Sequence, residues 1–294
     1  MSVTIKPGSP EWSQLITGSK VPAIFNKSPY DSPTSIWHQL AGMVDGAKPP
    51  NDAMTHGTRM EPVIVAHAWE DEFPQWEKQA DETTWTRDDL PFPAACNTDS
   101  HGLDEDGHLV VVEAKDVGYQ SPLDQWGEPG TFEVPDGYLL QAHFQLLMTG
   151  ARRVIIHRHG PANREFKSWV VDRDEVVLRT METRLRDFYN SVQMGKPPRV
   201  DGHPATFTTY KRAVVEVDDT EWEIAPELVA MLDRARADEE DAAARKREAT
   251  ARILQAMGTA KYATVDGERR FRRQRSGKGV ALYSVKRDMG EVAA

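Results

Sequence analysis

The residues best placed to do chemistry lie in one short stretch of the chain. Asp99 precedes the turn-rich segment Ser100 to Gly107, and the apolar run Leu109-Val110-Val111-Val112 then ends in Glu113-Ala114-Lys115. A run of β-branched residues reads as a strand, whose alternation puts Glu113 and Lys115 on one face and Ala114 on the other. Asp-Gly turn chemistry between Asp104 and Gly107 folds the preceding segment back and brings Asp99 beside that strand. Two carboxylates and an ammonium then converge. Phosphodiester hydrolysis uses such a set: hard oxygen ligands for a divalent ion that neutralises phosphate oxygens and lowers the pKa of an attacking water, and a lysine that orients or deprotonates that water. A hairpin that simply exposes a Glu and a Lys is the alternative, and the elements around it bear on the choice.

These elements read as an ordered α/β set. Ser32-Pro33 starts a short helix that runs to about Ala41, and a second helix, from about Met54 to Glu70, has Glu61 in its middle and a kink or restart expected at Pro62. Residues 83–98, 108–115, 154–159 and 165–172 read as strands. A helix from about Pro135 to Thr149 falls between the two pairs, and a long helix from about Arg173 to Met194 follows them. In the 135–149 helix, Tyr138, Gln141 and Gln145 share a narrow polar stripe on an otherwise apolar surface. Two glutamines on a buried helix must bond within the core or face a polar site, since an unpaired buried amide costs roughly 1–3 kcal/mol. For Glu61, an exposed helix residue near Arg59 is the plain alternative.

The 294 residues, 39% hydrophobic, suffice for one large domain or a domain with an appendage. A single cysteine, Cys96, excludes internal disulfides and cysteine-rich metal sites. No apolar run approaches a membrane span and the N-terminus has no signal-peptide stretch, so a cytoplasmic protein with no membrane partner is expected. The net charge of -10 is unevenly spread: residues 261 to 287 hold nine basic residues against two acidic ones. That segment reads as a small antiparallel sheet in which Arg270, Arg272, Arg273 and Arg275 interleave with Tyr262, Phe271 and Tyr283, a pattern suited to a nucleic-acid strand or to a merely exposed cap. It follows an acidic stretch and one long helix from Pro226 to Met257. The divisions expected are 1–205, 206–257 and 258–294. Asp104, Asp106 and Glu113 do not meet EF-hand spacing. His157 and His159, alternating on a strand, read as polar surface or core residues rather than zinc ligands.

Glu61 in a helix, Asp99, Glu113-Ala114-Lys115 and then Tyr138-x-x-Gln141, in that order, resemble the PD-(D/E)xK nucleases of the lambda exonuclease and YqaJ-type viral recombinase family. The segments Ile16-Thr17-Gly18-Ser19 and Ser28-Pro29-Tyr30 are similar to that family's N-terminal motif, and the resemblance spans roughly residues 12 to 195. It implies a restriction-endonuclease-like core, a mixed central β-sheet flanked by helices, to which the long helix and small antiparallel β appendage are added. It further implies that Asp99, Glu113 and the Ala114 carbonyl hold a catalytic Mg²⁺, for which Mn²⁺ could substitute, and that Glu61 helps hold a second ion. Lys115 would activate water, with Gln141 and Tyr138 positioning it, and Ser19 would sit near a 5′-phosphate pocket. Two departures stand out: Trp12 to Ile16 contains no arginine, where the family has one, and Thr98 replaces the proline before Asp99. Lys20 and Lys27 are the nearest cations to take the arginine's place. The activity implied is 5′ to 3′ degradation of linear duplex DNA ends in phage-type recombination, by a ring-shaped homo-oligomer, trimeric or tetrameric, that hands its product to a single-strand annealing protein. An endonuclease with the same metal site, or a DNA-binding protein of the same fold without turnover, are the alternatives.

Overall fold

In a computed structural model, which describes residues 9–46, 51–118, 125–160, 165–213 and 216–285, the apolar run becomes the middle of a five-stranded sheet. The Leu109–Asp116 strand pairs antiparallel with Ser100–Leu103 on one side and parallel with Arg153–Gly160 on the other. Glu77–Ala80 and Glu165–Asp172 complete the sheet as antiparallel edges. The mixed sheet is as expected, and its cause is visible in the sequence. The Val110-Val111-Val112 run is apolar on both faces because both are covered: Val111, Val154 and Ile156 pack with the Asp136–Thr149 helix, whereas Val110, Val112 and Ile155 pack with Val65, Ala68 and Trp69.

That division decides where each functional side chain goes. Glu113 and Lys115 share the parity of Val111 and face the Asp136–Thr149 helix, while Ala114 and Asp116 share the parity of Val112 and face the Asp52–His67 helix. The Asp52–His67 helix begins at an Asn51 cap, whose side chain accepts from the Met54 N–H at 2.9 Å. It runs through Pro62 without restarting, contrary to expectation. The ring lies on the exposed face, where water can satisfy the carbonyl that loses its partner. Its continuation, a π-helical turn over Ala68–Glu72, brings Trp69 against the sheet, with the indole N–H donating to Ser100 Oγ at 2.9 Å. Gly102 makes that contact possible: a Cβ there would lie 2.6 Å from the Trp69 ring and 2.2 Å from the Glu77 carbonyl oxygen.

Three further elements depart from the sequence reading. Residues 83–98 form two strands, Thr83–Thr86 and Ala94–Thr98, because Pro91 and Pro93 cannot donate to a ladder. These pair with each other and, through Ala94 and Ala95, with the two-residue strand Ile16–Thr17 in a second sheet. Asp99 is thus the bend between two sheets. Beyond residue 205, the helix Pro204–Ala213 packs on Pro33–Leu40, with the buried Thr206 Oγ1 donating to Ser32 Oγ at 2.7 Å. The first compact unit runs from Met1 to Glu216 and includes this helix.

Among the described residues, the second unit, Val217–Ala294, contains the Pro226–Ala256 helix, with no buried residue, and a three-stranded antiparallel sheet. Its Asp266-Gly267 turn has both residues at positive φ, 53° and 82°, the geometry that joins twisted strands most directly. Lys286 and Arg287 of the basic segment lie outside the described residues.

Candidate active site

Glu113 is buried at 4% exposure, and its carboxylate is the hub of the site. Oε1 is paired with the Lys115 ammonium and accepts from Gln141 Nε2 at 2.6 Å; Oε2 accepts from Gln145 Nε2. Gln141 closes the loop, its Oε1 accepting from Lys115 Nζ at 3.2 Å. Tyr138 lies one turn earlier with its ring centroid 5.2 Å from the same ammonium. The polar stripe of the helix therefore faces the Glu113 and Lys115 side of the strand along its length. Gln145, noted in that stripe but given no role, proves to be a direct partner of Glu113.

Asp99 reaches the strand as expected: its Oδ2 accepts from the Ala114 N–H at 2.7 Å. Burial and the neighbouring Glu113 charge push its pKa well above the usual carboxylate range, against the opposing pull of Lys115 and the Ala114 hydrogen bond. Glu61, half-buried on its helix, is also raised, by burial first and then by the charges of Glu82 and Glu113. Three carboxylates therefore crowd around one ammonium. For Lys115, burial opposes the charged form, but Glu113 and Asp99 outweigh it and the pKa rises. A buried excess of negative charge with hard oxygen donors fits a divalent cation.

The helix bearing Glu61 is fastened to the sheet near both ends by histidines, a device the sequence reading missed. Near its start, His56 Nδ1 is 2.7 Å from Asp116 Oδ2, whose Oδ1 is 2.8 Å from His159 Nδ1. At its end, His67 Nδ1 is 3.0 Å from Nε2 of the fully buried His157, whose Nδ1 is 2.7 Å from Ser168 Oγ. Burial, followed by the neighbouring His67, brings the His157 pKa down to about 4. The alternation His157-x-His159 was visible in the sequence; the partners, each distant in the chain, were not.

Other expected site residues are distributed differently. A Cβ on Gly18 would stand 3.4 Å from Gln141 Cγ, so the Thr17-Gly18-Ser19 turn borders the site, with Ser19 exposed and its Oγ 3.2 Å from Thr17 Oγ1. Lys20 points inward instead. Its ammonium donates to the carbonyls of Ser13, Leu15 (2.8 Å) and Trp12 (3.5 Å), and burial brings its pKa down to about 8. The structure thus holds the Lys20 ammonium on three carbonyls rather than presenting it as an exposed cation. Lys27 pairs with Asp136 at 2.7 Å. In the second unit Arg270, Arg272 and Arg275 are exposed, and Arg273 is half-buried and donates to the Gly258 carbonyl.

An acidic residue at a sheet bend, Asp99, beside a strand-borne glutamate and lysine, Glu113 and Lys115, on a mixed sheet between helices is an arrangement suited to a nuclease. Comparison agrees with the nuclease class: residues 11–152 match the YqaJ-like viral recombinase domain. No curated protein sequence matches the chain. Among solved structures, it is similar to an alkaline exonuclease, LHK-Exo, from Laribacter hongkongensis: 16% identity, TM-score 0.49, covering 63% of this chain and 90% of that one. A putative exonuclease from Eubacterium rectale is similar at 14% identity and TM-score 0.47, covering 78% of this chain and 98% of that one.

Proposed function

We propose that the chain is a Mg²⁺-dependent exonuclease that degrades linear duplex DNA from the 5′ end in phage-type recombination. The observation that carries this reading is the closed loop of Glu113, Lys115 and Gln141 with Asp99 held on the intervening Ala114 N–H, inside the span that matches the viral recombinase domain. Asp99, Glu113 and the Ala114 carbonyl would hold the first Mg²⁺, or Mn²⁺ in its place, and Glu61 would contribute to a second. When bound, such an ion neutralises phosphate oxygens and acidifies a ligated water.

The chain's own groups then divide the remaining work. Lys115 is kept as an ammonium by Glu113 and Asp99, and in that form it donates to the attacking water and to the phosphate oxygens. Were those carboxylates neutralised, the burial that opposes the charge would favour the neutral amine; having lost its proton to solvent, Lys115 could then accept one from the attacking water. Gln141 fixes both Lys115 and Glu113 with a single carboxamide, and Gln145 prevents Glu113 from rotating out of place. Tyr138 supports the ammonium with its ring face. In this reading Ser19, exposed next to Gly18 on the turn that borders Gln141, would meet the 5′-terminal phosphate, and the exposed arginines of the second unit would contact the DNA backbone. The reading extends to a homo-oligomeric ring and delivery of the 3′ tail to an annealing protein. Among the described residues no helix is long and apolar enough to cross a membrane, and a cytoplasmic setting is part of the proposal.

The test uses linear 5′-phosphorylated, linear 5′-hydroxyl and covalently closed duplexes with Mg²⁺, comparing the native chain with Lys115→Ala. Release of nucleotides from linear ends only, lost in the variant, supports the reading. Cleavage of the closed circle would identify an endonuclease, binding without product a non-catalytic protein, and product that persists in Lys115→Ala would show that the site lies elsewhere.

A further inference from the structure

The parallel register that aligns Glu113 with Ile156 also aligns Lys115 with Arg158, and the next, antiparallel register aligns Arg158 with Lys167. Three cations therefore stand in one row, on one face, across three adjacent strands spaced about 4.8 Å apart. Arg158 is the unusual member. It is 5% exposed, with its guanidinium packed against the tilted ring pair Trp126 and Trp169, 4.9 and 4.7 Å from their centroids, which are themselves 4.5 Å apart. Trp169 is fixed by donating to the Gly127 carbonyl at 3.0 Å, while Trp126 touches Tyr138, the ring beneath Lys115. A continuous aromatic path thus joins the catalytic lysine to Arg158.

A guanidinium has five N–H donors, and buried donors are normally satisfied. Here Nε is buried with no partner, and the carboxylate nearest the group, Glu165, lies 3.8 Å from Nη2, beyond hydrogen-bonding distance. The same Glu165 oxygen is 3.1 Å from Lys167 Nζ. One carboxylate oxygen, on a side chain 35% exposed, is shared by two cations and saturates neither. A planar guanidinium held against two rings that contact each other is prepared for an oxyanion, because the fork need not be ordered on binding.

We propose that Arg158 and Lys167 form a phosphate-binding subsite for the substrate strand, with Glu165 as an internal counter-ion that a backbone phosphate displaces. This rests on the nuclease reading of the Lys115 site. Since DNA carries one phosphate per roughly 3.4 Å of axis on each strand, a group one strand over from Lys115 meets a phosphate within one or two positions of the scissile bond. The subsite acts on binding and register, not on bond cleavage.

The experiment measures KM and kcat on 5′-phosphorylated linear duplex with Mg²⁺ over a series of salt concentrations, for the full chain and for Arg158→Gln, Arg158→Lys, Lys167→Gln and Glu165→Gln. Arg158→Gln raises KM about tenfold or more with little change in kcat, and lowers the dependence of log KM on log salt by about one unit. Arg158→Lys recovers the salt dependence but only part of the affinity. Lys167→Gln, at a residue 39% exposed and so without risk to folding, raises KM more modestly, and Glu165→Gln lowers it by removing the competing carboxylate. A merely structural stacking of Arg158 on the two tryptophans predicts a lower Tm for Arg158→Gln, with KM and salt slope unmoved in Lys167→Gln and Glu165→Gln; that result overturns the subsite. Turnover retained in Lys115→Ala would instead overturn the underlying nuclease site, so the two failures are distinct.

Discussion

The two ends of one hairpin carry acidic groups with opposite fates. At the bend, Asp99 receives a single backbone hydrogen bond, lies near Glu113 and Glu61, and has its pKa pushed far up. At the turn, Asp104 accepts from the N–H groups of Asp106 (3.1 Å) and His108 (2.9 Å), with Arg152 3.6 Å away. Burial pushes Asp104 up, but those hydrogen bonds and cations outweigh it, and its pKa falls. Asp104, Asp106 and His108 offer ligand atoms within 4.8 Å of one another, so proximity alone makes the turn look like a metal site. The contrast teaches that a carboxylate cluster demands a cation only when the fold leaves its charge uncompensated. At the turn, Arg152 already supplies it, donating to Asp106 at 3.2 Å and lying 2.9 Å from His108 Nδ1. At the bend, three carboxylates share Lys115.

The largest expected effect breaks the comparison directly. Lys115→Ala or Glu113→Gln lowers turnover by about 10²- to 10⁴-fold, the range for losing a positioned proton-transfer or charge-stabilising group, whereas Asp104→Asn and Asp106→Asn change it by less than about threefold. A steady-state assay on linear duplex decides it, and equal losses at both ends would void the distinction.

The His157 pin gives the next largest effect. Its folded pKa of about 4 lies below the unfolded value of 6.5, so the unfolded chain binds the extra proton between these values and stability falls as pH drops through that window. The loss reaches roughly 3 kcal/mol once pH is below the folded value, and His157→Phe should flatten that part of a denaturation profile between pH 7 and 4.

Raised carboxylate values work in the other direction. The folded chain retains protons on Asp99 and Glu61 that the unfolded chain has released, so ionising these groups costs stability as pH rises through their folded pKa values. Divalent cations relieve that cost. Added Mg²⁺ should raise Tm by several degrees at pH 8 and by progressively less as pH falls, with chelator reversing the gain and Asp99→Asn removing most of its pH dependence. A shift independent of pH would place the ion elsewhere. The smallest effect belongs to the turn: Arg152→Ala, at an exposed ion-pair cluster, should cost about 0–1 kcal/mol in chemical denaturation and leave turnover unchanged.

Much of the site was legible in the sequence because it is written in local periodicities. The valine run and its parity put Glu113 and Lys115 together, and the stripe of Tyr138, Gln141 and Gln145 could be counted from a 3.6-residue repeat. The turn before Leu109 announced that Asp99 would return to the strand. Less was legible where local pattern conflicts with packing. Glu77–Ala80 has no strand pattern and is a strand because Ser100–Leu103 offers it an edge. Pro62 promised an interruption that the exposed helix face does not require, and Thr206 ties a further helix to Ser32 across 174 residues of chain. Lys20 looked like a free cation because nothing in its neighbours shows that three carbonyls will converge on it.

By itself, the sequence determined the strand, its two faces, the helix that opposes it and the order of groups able to cut a phosphodiester. Those are consequences of side-chain alternation along one segment, and they need no partner. Tertiary structure alone decided which histidines hold the Glu61 helix, which carboxylates remain uncompensated, and that Arg158 stands beside Lys115. The physical reason is register: pairing between strands some forty residues apart is set by the whole core, and a shift of one residue would have turned Arg158 to the opposite face.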